Sequence, residues 1–291
     1  MTNVTPGIAD LERQLLAGRN PDGGWGYYRE KASRLEPTCW AALALRYARS
    51  RVDAGSALAR WPSQGGLLLE RAGAPPNFGF HGVALLALRA LGVDHAAGTA
   101  SLVAALQRVA GIPLKPSTVN RQDNSLQAWS WIEGTFSWVE PTAWCLLALK
   151  KWNGSGVAID PNRVSTAERL LIDRACDGGG WNYGNSNMLG QMLKAYVPTT
   201  AVALLSLRDR RSEAVVAKGH EYLRTHATAE RSGLSLALSL LCLMTYDSDA
   251  TGVRTALSNQ IGTTIALGNQ LAMALSLFAL SVEPHDAAVV V

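Results

Sequence analysis

The chain has 291 residues, of which 48% are hydrophobic and 17% charged, with a net charge of +4 and a pI near 9.0. That apolar share can bury a large core, and the mild charge without a Lys/Arg run excludes a nucleic-acid footprint. No apolar stretch approaches the ~20 residues that span a bilayer, and MTNVTPGIADLERQLL does not read as a signal peptide, so a cytoplasmic protein is expected.

In chain order, residues 8–18 read as an amphipathic helix. The loop Asp22-Gly23-Gly24-Trp25-Gly26-Tyr27 follows, its glycines permitting positive φ and its Trp suited to plugging a gap between helical hairpins. Glu36-Pro37-Thr38 then leads into an apolar run, Trp40 to Leu45 (WAALAL); Pro is preset for a first helical turn and Thr can cap. An amphipathic stretch at 52–60 precedes Val83 to Leu88 (VALLAL), whose leader carries Phe80 and His81. Residues 97–110 are amphipathic again, and 111–137 form the longest irregular stretch, with Arg121, Asp123, Trp129 and Trp131. Glu140-Pro141-Thr142 opens Trp144 to Leu149 (WCLLAL), behind Trp138.

Residues 164–175 begin with Ser165-Thr166-Ala167-Glu168, which resembles a capping start. After Asp177-Gly178-Gly179-Gly180-Trp181-Asn182-Tyr183, Tyr196 and Val197-Pro198-Thr199 lead into Val202 to Leu207 (VALLSL). Arg208, Arg210 and Arg211 cluster in the next turn, where a helix C-terminus favours cations and an anionic ligand or lipid headgroup could also sit. Amphipathic stretches at 211–226 and 250–260 alternate with Leu238 to Leu243 (LSLLCL), led by Glu230-Arg231, and Leu275 to Leu280 (LSLFAL), led by Asn269-Gln270.

The closing leucines 45, 88, 149, 207, 243 and 280 lie 43, 61, 58, 36 and 37 residues apart. Repeats of such periods are stacked supersecondary units. Six helices apolar around their circumference, alternating with six amphipathic ones, predict an all-α fold: an (α/α)6 toroid with inner and outer helix rings. One domain, 1–291, is expected, with repeats at about 8–50, 52–92, 97–152, 164–209, 211–245 and 250–281 and a tail at 282–291. Cys39, Cys145, Cys176 and Cys242 are scattered and read as buried thiols of a reducing compartment.

Q…GGW segments followed by a helix opening with Pro-Thr-Ala-Trp resemble the repeats of squalene–hopene and related terpene cyclases, and those of protein prenyltransferase β subunits. The likeness implies the α/α-toroid. Class II cyclases start their reaction from an Asp-x-Asp-Asp-Thr-Ala segment, whose middle Asp protonates an alkene or epoxide. The matching frame here is Trp138-Val139-Glu140-Pro141-Thr142-Ala143, in which Glu140 alone keeps an acid. Glu36 holds the same frame in the first repeat. A carboxylate at a helix N-terminus is favoured by the dipole, which works against proton donation.

The resemblance therefore implies a protein that holds an isoprenoid or other apolar molecule in a central cavity. Glu140 or Glu36 would be the catalytic acid of a proton-initiated cyclisation or isomerisation. Trp138, His81, Phe80, Tyr196, Arg121 and Asp123 would contact substrate, with aromatic faces to stabilise carbocations and the 111–137 loop as a lid. The alternative is a non-catalytic toroid holding a lipid, a peptide or a partner enzyme; a carbohydrate-active toroid would need paired carboxylates. Membrane contact is at most peripheral. No cofactor and no metal are expected. Asp173 and Cys176 lack a third ligand, His220 and His226 lie on different helix faces, and there is no Asp-Asp-x-x-Asp.

Overall fold

A computed structural model describes residues 7–52, 54–119 and 121–291; the first six residues of the N-terminal segment, Asp53 and Asn120 lie outside the described residues. In chain order the elements are α1 (Ile8–Ala17), α2 (Leu35–Tyr47), α3 (Ser56–Ala59), β1 (Ser63–Gln64), β2 (Leu67–Leu68), α4 (Phe78–Leu91), α5 (Thr99–Arg108), α6 (Val139–Trp152) and α7 (Pro161–Asp173). They continue with β3 (Asn187–Met188), β4 (Gln191–Met192), α8 (Val197–Ser206), α9 (Ala214–His226), α10 (Gly233–Thr245), α11 (Thr251–Asn259), α12 (Ile261–Leu267), α13 (Gln270–Ser281) and α14 (Pro284–Val290). The two strand pairs are antiparallel hairpins.

The chain divides into two compact units. The first comprises Met1–Trp61, Ala87–Ala96 and Ala227–Val290. Its core is α13, which packs on α2, α10 and α1, while α14 and α11 cover α10. Phe278 of α13 meets Trp40 at 5.9 Å and Tyr47 at 5.6 Å between ring centres. The second unit comprises Pro62–Leu86, Ala97–His226 and Val291. There α6 packs on α7 and α8, and α8 on α9.

The six apolar runs fall in the apolar helix series α2, α4, α6, α8, α10 and α13, the fourth ending at Leu207, the C-cap of α8. Almost every residue of α10 is buried, from Gly233 to Thr245, because Leu, Ala and Ser leave no polar stripe. The amphipathic partners depart more from expectation. The 164–175 helix begins earlier, at Pro161, because Asp160 caps it by accepting from the Asn162 amide at 2.8 Å. Ser165 lies inside the helix, and Glu168 accepts an ion pair from Lys150 at 2.6 Å. Among the described residues of the 52–60 stretch only Ser56–Ala59 are helical, and the β1–β2 hairpin follows. The 250–260 helix is continued by α12, and the tail contains α14.

One device recurs at the starts of the apolar helices. In α2, Thr38 Oγ1 accepts from the Trp25 amide at 2.9 Å and donates to the Trp25 carbonyl at 3.2 Å. In α6, Thr142 does the same to Trp129, at 3.2 Å in both directions. In α8, Thr200 does it to Trp181, at 2.9 and 3.2 Å. Each tryptophan is fully buried, and its indole N–H donates to a carbonyl near the end of the preceding amphipathic helix: Leu15, Leu106 and Leu171 respectively. The tryptophan carbonyl also accepts from the N-cap amide, that of Arg34, Trp138 or Tyr196. Burying an indole costs little when its N–H is bonded this way.

This geometry shifts the third leader by one residue: Thr200, four past the N-cap Tyr196, matches Thr38 and Thr142, whereas Thr199 does not. Glycine next to the Trp is a packing requirement in two copies. A Cβ on Gly24 would stand 3.0 Å from Thr38 Oγ1, and one on Gly180, whose φ is +77°, 2.6 Å from Thr200 Oγ1. In the middle copy Ala128 occupies that place.

Candidate functional site

The chemistry-bearing side chains of the second unit gather at the starts of α6 and α8. Trp138 is the N-cap of α6 and stacks on Phe136 at 4.8 Å with planes 26° apart. Tyr196 is the N-cap of α8 and meets Tyr183 at 5.1 Å. The pairs are joined through the backbone, since the Val139 amide donates to the Tyr183 carbonyl at 3.1 Å. Together they wall a pocket of about 510 Å³, which Leu114, Met192 and Leu193 extend and Gln122, Arg174, Asn182 and Lys194 edge with polar groups. Three of its rings stay open to solvent: Tyr183 is 52% exposed, Tyr196 47% and Phe136 37%.

The polar edge is held rigidly. Asn182 is buried, donates to the Asn185 and Lys194 carbonyls, and accepts from the Gly184 and Asn185 amides. Arg174 is buried as well, paired with Asp173 and donating to the Asp123 carbonyl at 3.1 Å. Gln122 Nε2 donates to Asn124, while its Oε1 is buried with no hydrogen-bond partner among the described residues.

Glu140 lies in the first turn of α6, two residues past Trp138 and four before Trp144. The Trp144 side chain hydrogen-bonds its carboxyl, yet burial outweighs that bond and pushes the carboxyl pKa up from 4.5 to about 7. A helix-start dipole is worth roughly 0.3–1 kcal/mol in favour of the carboxylate. The desolvation behind such a shift is larger, so the helix start does not keep Glu140 ionised as its position alone predicts. Its counterpart Glu36, in the first unit, accepts a hydrogen bond from the Tyr27 hydroxyl at 2.7 Å.

No protein-family profile and no curated protein matches the sequence. Among solved structures the chain is similar to a protein from Actinoplanes, with a TM-score of 0.61 and 16% identity, covering 97% of this chain and 99% of that one. It is similar to a glycosidase carrying a Glu-to-Ala substitution, with a TM-score of 0.59 and 12% identity over 97% of this chain and 96% of the other. It is also similar to an Arg-to-Ala variant of the type II terpene cyclase MstE from Scytonema, in complex with geranylgeranyl dihydroxybenzoate, with a TM-score of 0.53 and 12% identity over 98% of each chain. The fold is the all-α toroid of the terpene-cyclase type.

Within this toroid the expected site residues separate. Trp138 and Tyr196 line one pocket. Phe80 is half-buried in α4 and meets Trp131 edge-on at 5.6 Å, away from that pocket. His81, expected at a substrate, is fully buried: Nδ1 accepts from the Leu68 amide at 3.0 Å, and Nε2 bonds the Leu102 carbonyl at 3.1 Å. The first bond requires an unprotonated Nδ1, so Nε2 carries the proton. His81 stands four past Asn77, in the register that Thr38, Thr142 and Thr200 hold elsewhere, but its two bonds go to two separate elements, the amide of Leu68 in β2 and the carbonyl of Leu102 in α5.

Arg121 and Asp123 are occupied in anchoring the 111–137 segment to the end of α7. Arg121 pairs with Asp177, and the Asp123 amide donates to Asp173 at 3.0 Å. The Asp123 carboxylate takes both the Ser125 amide and hydroxyl, which lowers its pKa. Within the segment Trp129 fixes the middle, and Leu114, Gln122 and Phe136 form one wall of the pocket. Asn182, Arg174, Tyr183 and Phe136 are pocket residues that the sequence does not single out; the Gly-rich turn around Trp181 signals only Asn182 and Tyr183, and its pattern reads first as packing. Among the described residues no helix is long and apolar enough to cross a membrane.

Proposed function

We propose that this protein binds an isoprenoid or similarly apolar molecule against the aromatic surfaces at the helix starts, and that Glu140 is the proton donor of a cyclisation or isomerisation. The observation that carries the reading is the state of Glu140. It makes no ion pair among the described residues, its one side-chain partner is an indole, and it holds its proton up to about pH 7. A general acid must be protonated where it works, and burial beside aromatic groups achieves that without a second carboxyl. The phenyl, indole and phenol faces of Phe136, Trp138, Tyr183 and Tyr196 suit an apolar chain and would stabilise positive charge developing on it. The terpene cyclase with the same fold was solved with a geranylgeranyl compound as its substrate, which supports the same substrate class here.

The test is incubation with farnesyl, geranylgeranyl and squalene-type compounds and product detection by mass spectrometry. Cyclised or isomerised products that keep the substrate's head group should form, fall away as pH rises through about 7, and vanish in Glu140→Gln. Products that persist in Glu140→Gln would remove Glu140 from the chemistry. The second reading, a non-catalytic toroid that holds a lipid, a peptide or a partner enzyme, is favoured by Trp138 and Pro141, which put no further acid in the Glu140 leader. It predicts ligand that co-purifies without turnover and is lost when Trp138 and Tyr196 are both replaced by Ala.

A further inference from the structure

The far ends of α6 and α8 carry a second concavity with different chemistry. A cavity of about 620 Å³ is lined by Lys150, Lys151, Arg208 and Arg211, with Asp209 the one acid among its walls and Leu147 and Leu205 at its floor. The carboxylates of this corner are already engaged. Lys150 pairs with Glu168 at 2.6 Å and Asp209 at 2.5 Å, and Arg210 pairs with Glu168 at 3.1 Å and Glu213 at 2.7 Å. Lys151 donates to the Val291 carbonyl at 2.9 Å. Arg208 and Arg211 line the cavity and make no ion pair among the described residues.

The helix dipole accounts for part of this arrangement. Lys150 and Lys151 occupy the last turn of α6, where carbonyls point outward and cations are favoured. It does not account for Arg208 and Arg211, which lie beyond the end of α8 at Ser206, in and after a single 3-10 turn. The dipole effect falls off within the last turn. The guanidiniums of Arg208 and Arg211, half-buried and exposed respectively, share this concave surface with no carboxylate ion-paired to them among the described residues, and like charges held close together repel. An anion with several oxygens relieves that repulsion, and the planar fork of arginine fits phosphate oxygens two at a time.

We infer that this cavity, bounded by Lys150, Lys151, Arg208 and Arg211, is a binding site for a phosphate- or diphosphate-bearing group. It is separate from the aromatic pocket. Fourteen residues of α6 lie between Trp138 and Asn153, about 20 Å of helix, so one short ligand does not reach both. The group is either free in solution or the headgroup of an anionic lipid.

Two arms of one experiment separate these sources. The full chain is titrated calorimetrically with inorganic pyrophosphate, and separately sedimented with phosphatidylcholine vesicles with and without phosphatidic acid. Pyrophosphate binding that weakens by roughly tenfold in Arg208→Glu/Arg211→Glu, and with added salt, supports a site for a soluble phosphate compound. Sedimentation only with phosphatidic acid, lost in the same variant, supports a headgroup site. Absence of both, or either one undiminished in the variant, overturns the inference. Arg208→Gln/Arg211→Gln serves in its place if charge reversal lowers the helical circular dichroism.

Discussion

Glu36 at the start of α2 and Glu140 at the start of α6 occupy the same register, two residues past the N-cap and two before the threonine that clamps the preceding loop. The clamps around them are nearly superposable in their bonds, with a 13-residue interval between Trp and Thr in each. Their acids are treated differently. Glu36 accepts from a hydroxyl, whereas Glu140 meets an indole and enough burial to push its pKa up to about 7. A repeat thus fixes where a side chain points and leaves its chemistry to the neighbours.

The largest effect falls on the shared part. Trp25→Ala and Trp129→Ala should each lower unfolding free energy by about 4 kcal/mol in urea melts, through lost burial and the loss of the indole donor to the Leu15 or Leu106 carbonyl. A loss below about 2 kcal/mol at one site would end the equivalence of the two clamps.

The second effect falls on the difference. Glu140 has a folded pKa above its unfolded one, so the stability from its neutral form is fully present below about pH 4.5 and is lost as pH rises through about 7. Glu140→Gln should therefore match the parent at pH 4.5 and exceed it at pH 8 by about 2 kcal/mol. A constant offset across that range in thermal melts would contradict it. The smallest effect is at Glu36. Glu36→Gln and Tyr27→Phe should each cost about 1 kcal/mol, and their double mutant should show that the loss is shared; additive losses would mean that the bond contributes nothing.

The apolar helices were legible because Leu, Ala and Ser at nearly every position admit no alternative burial pattern. Their partners were less so, since the start of α7 rests on one aspartate, Asp160, while Ser165 offers an equally good capping pattern inside the helix. Thr199 and Thr200 posed a one-residue ambiguity that only contact with Trp181 resolves. The two hairpins have strands of two residues, too short for any alternation to register. His81 could be named but not placed, because nothing in its own helix signals the Leu68 amide that it bonds. The pocket's polar edge draws Gln122, Arg174, Asn182 and Lys194 from separated segments, and no local pattern joins them.

In the third clamp the interval is longer. Trp181 and Thr200 are 19 residues apart rather than 13, and the β3–β4 hairpin fits between them while every bond of the clamp is kept. Length inserted between a fixed tryptophan and a fixed threonine is thus invisible to the helices on either side. These loops behave as cassettes in a rigid frame: the pocket's rim can be rewritten, in evolution or by design, without renegotiating the fold beneath it.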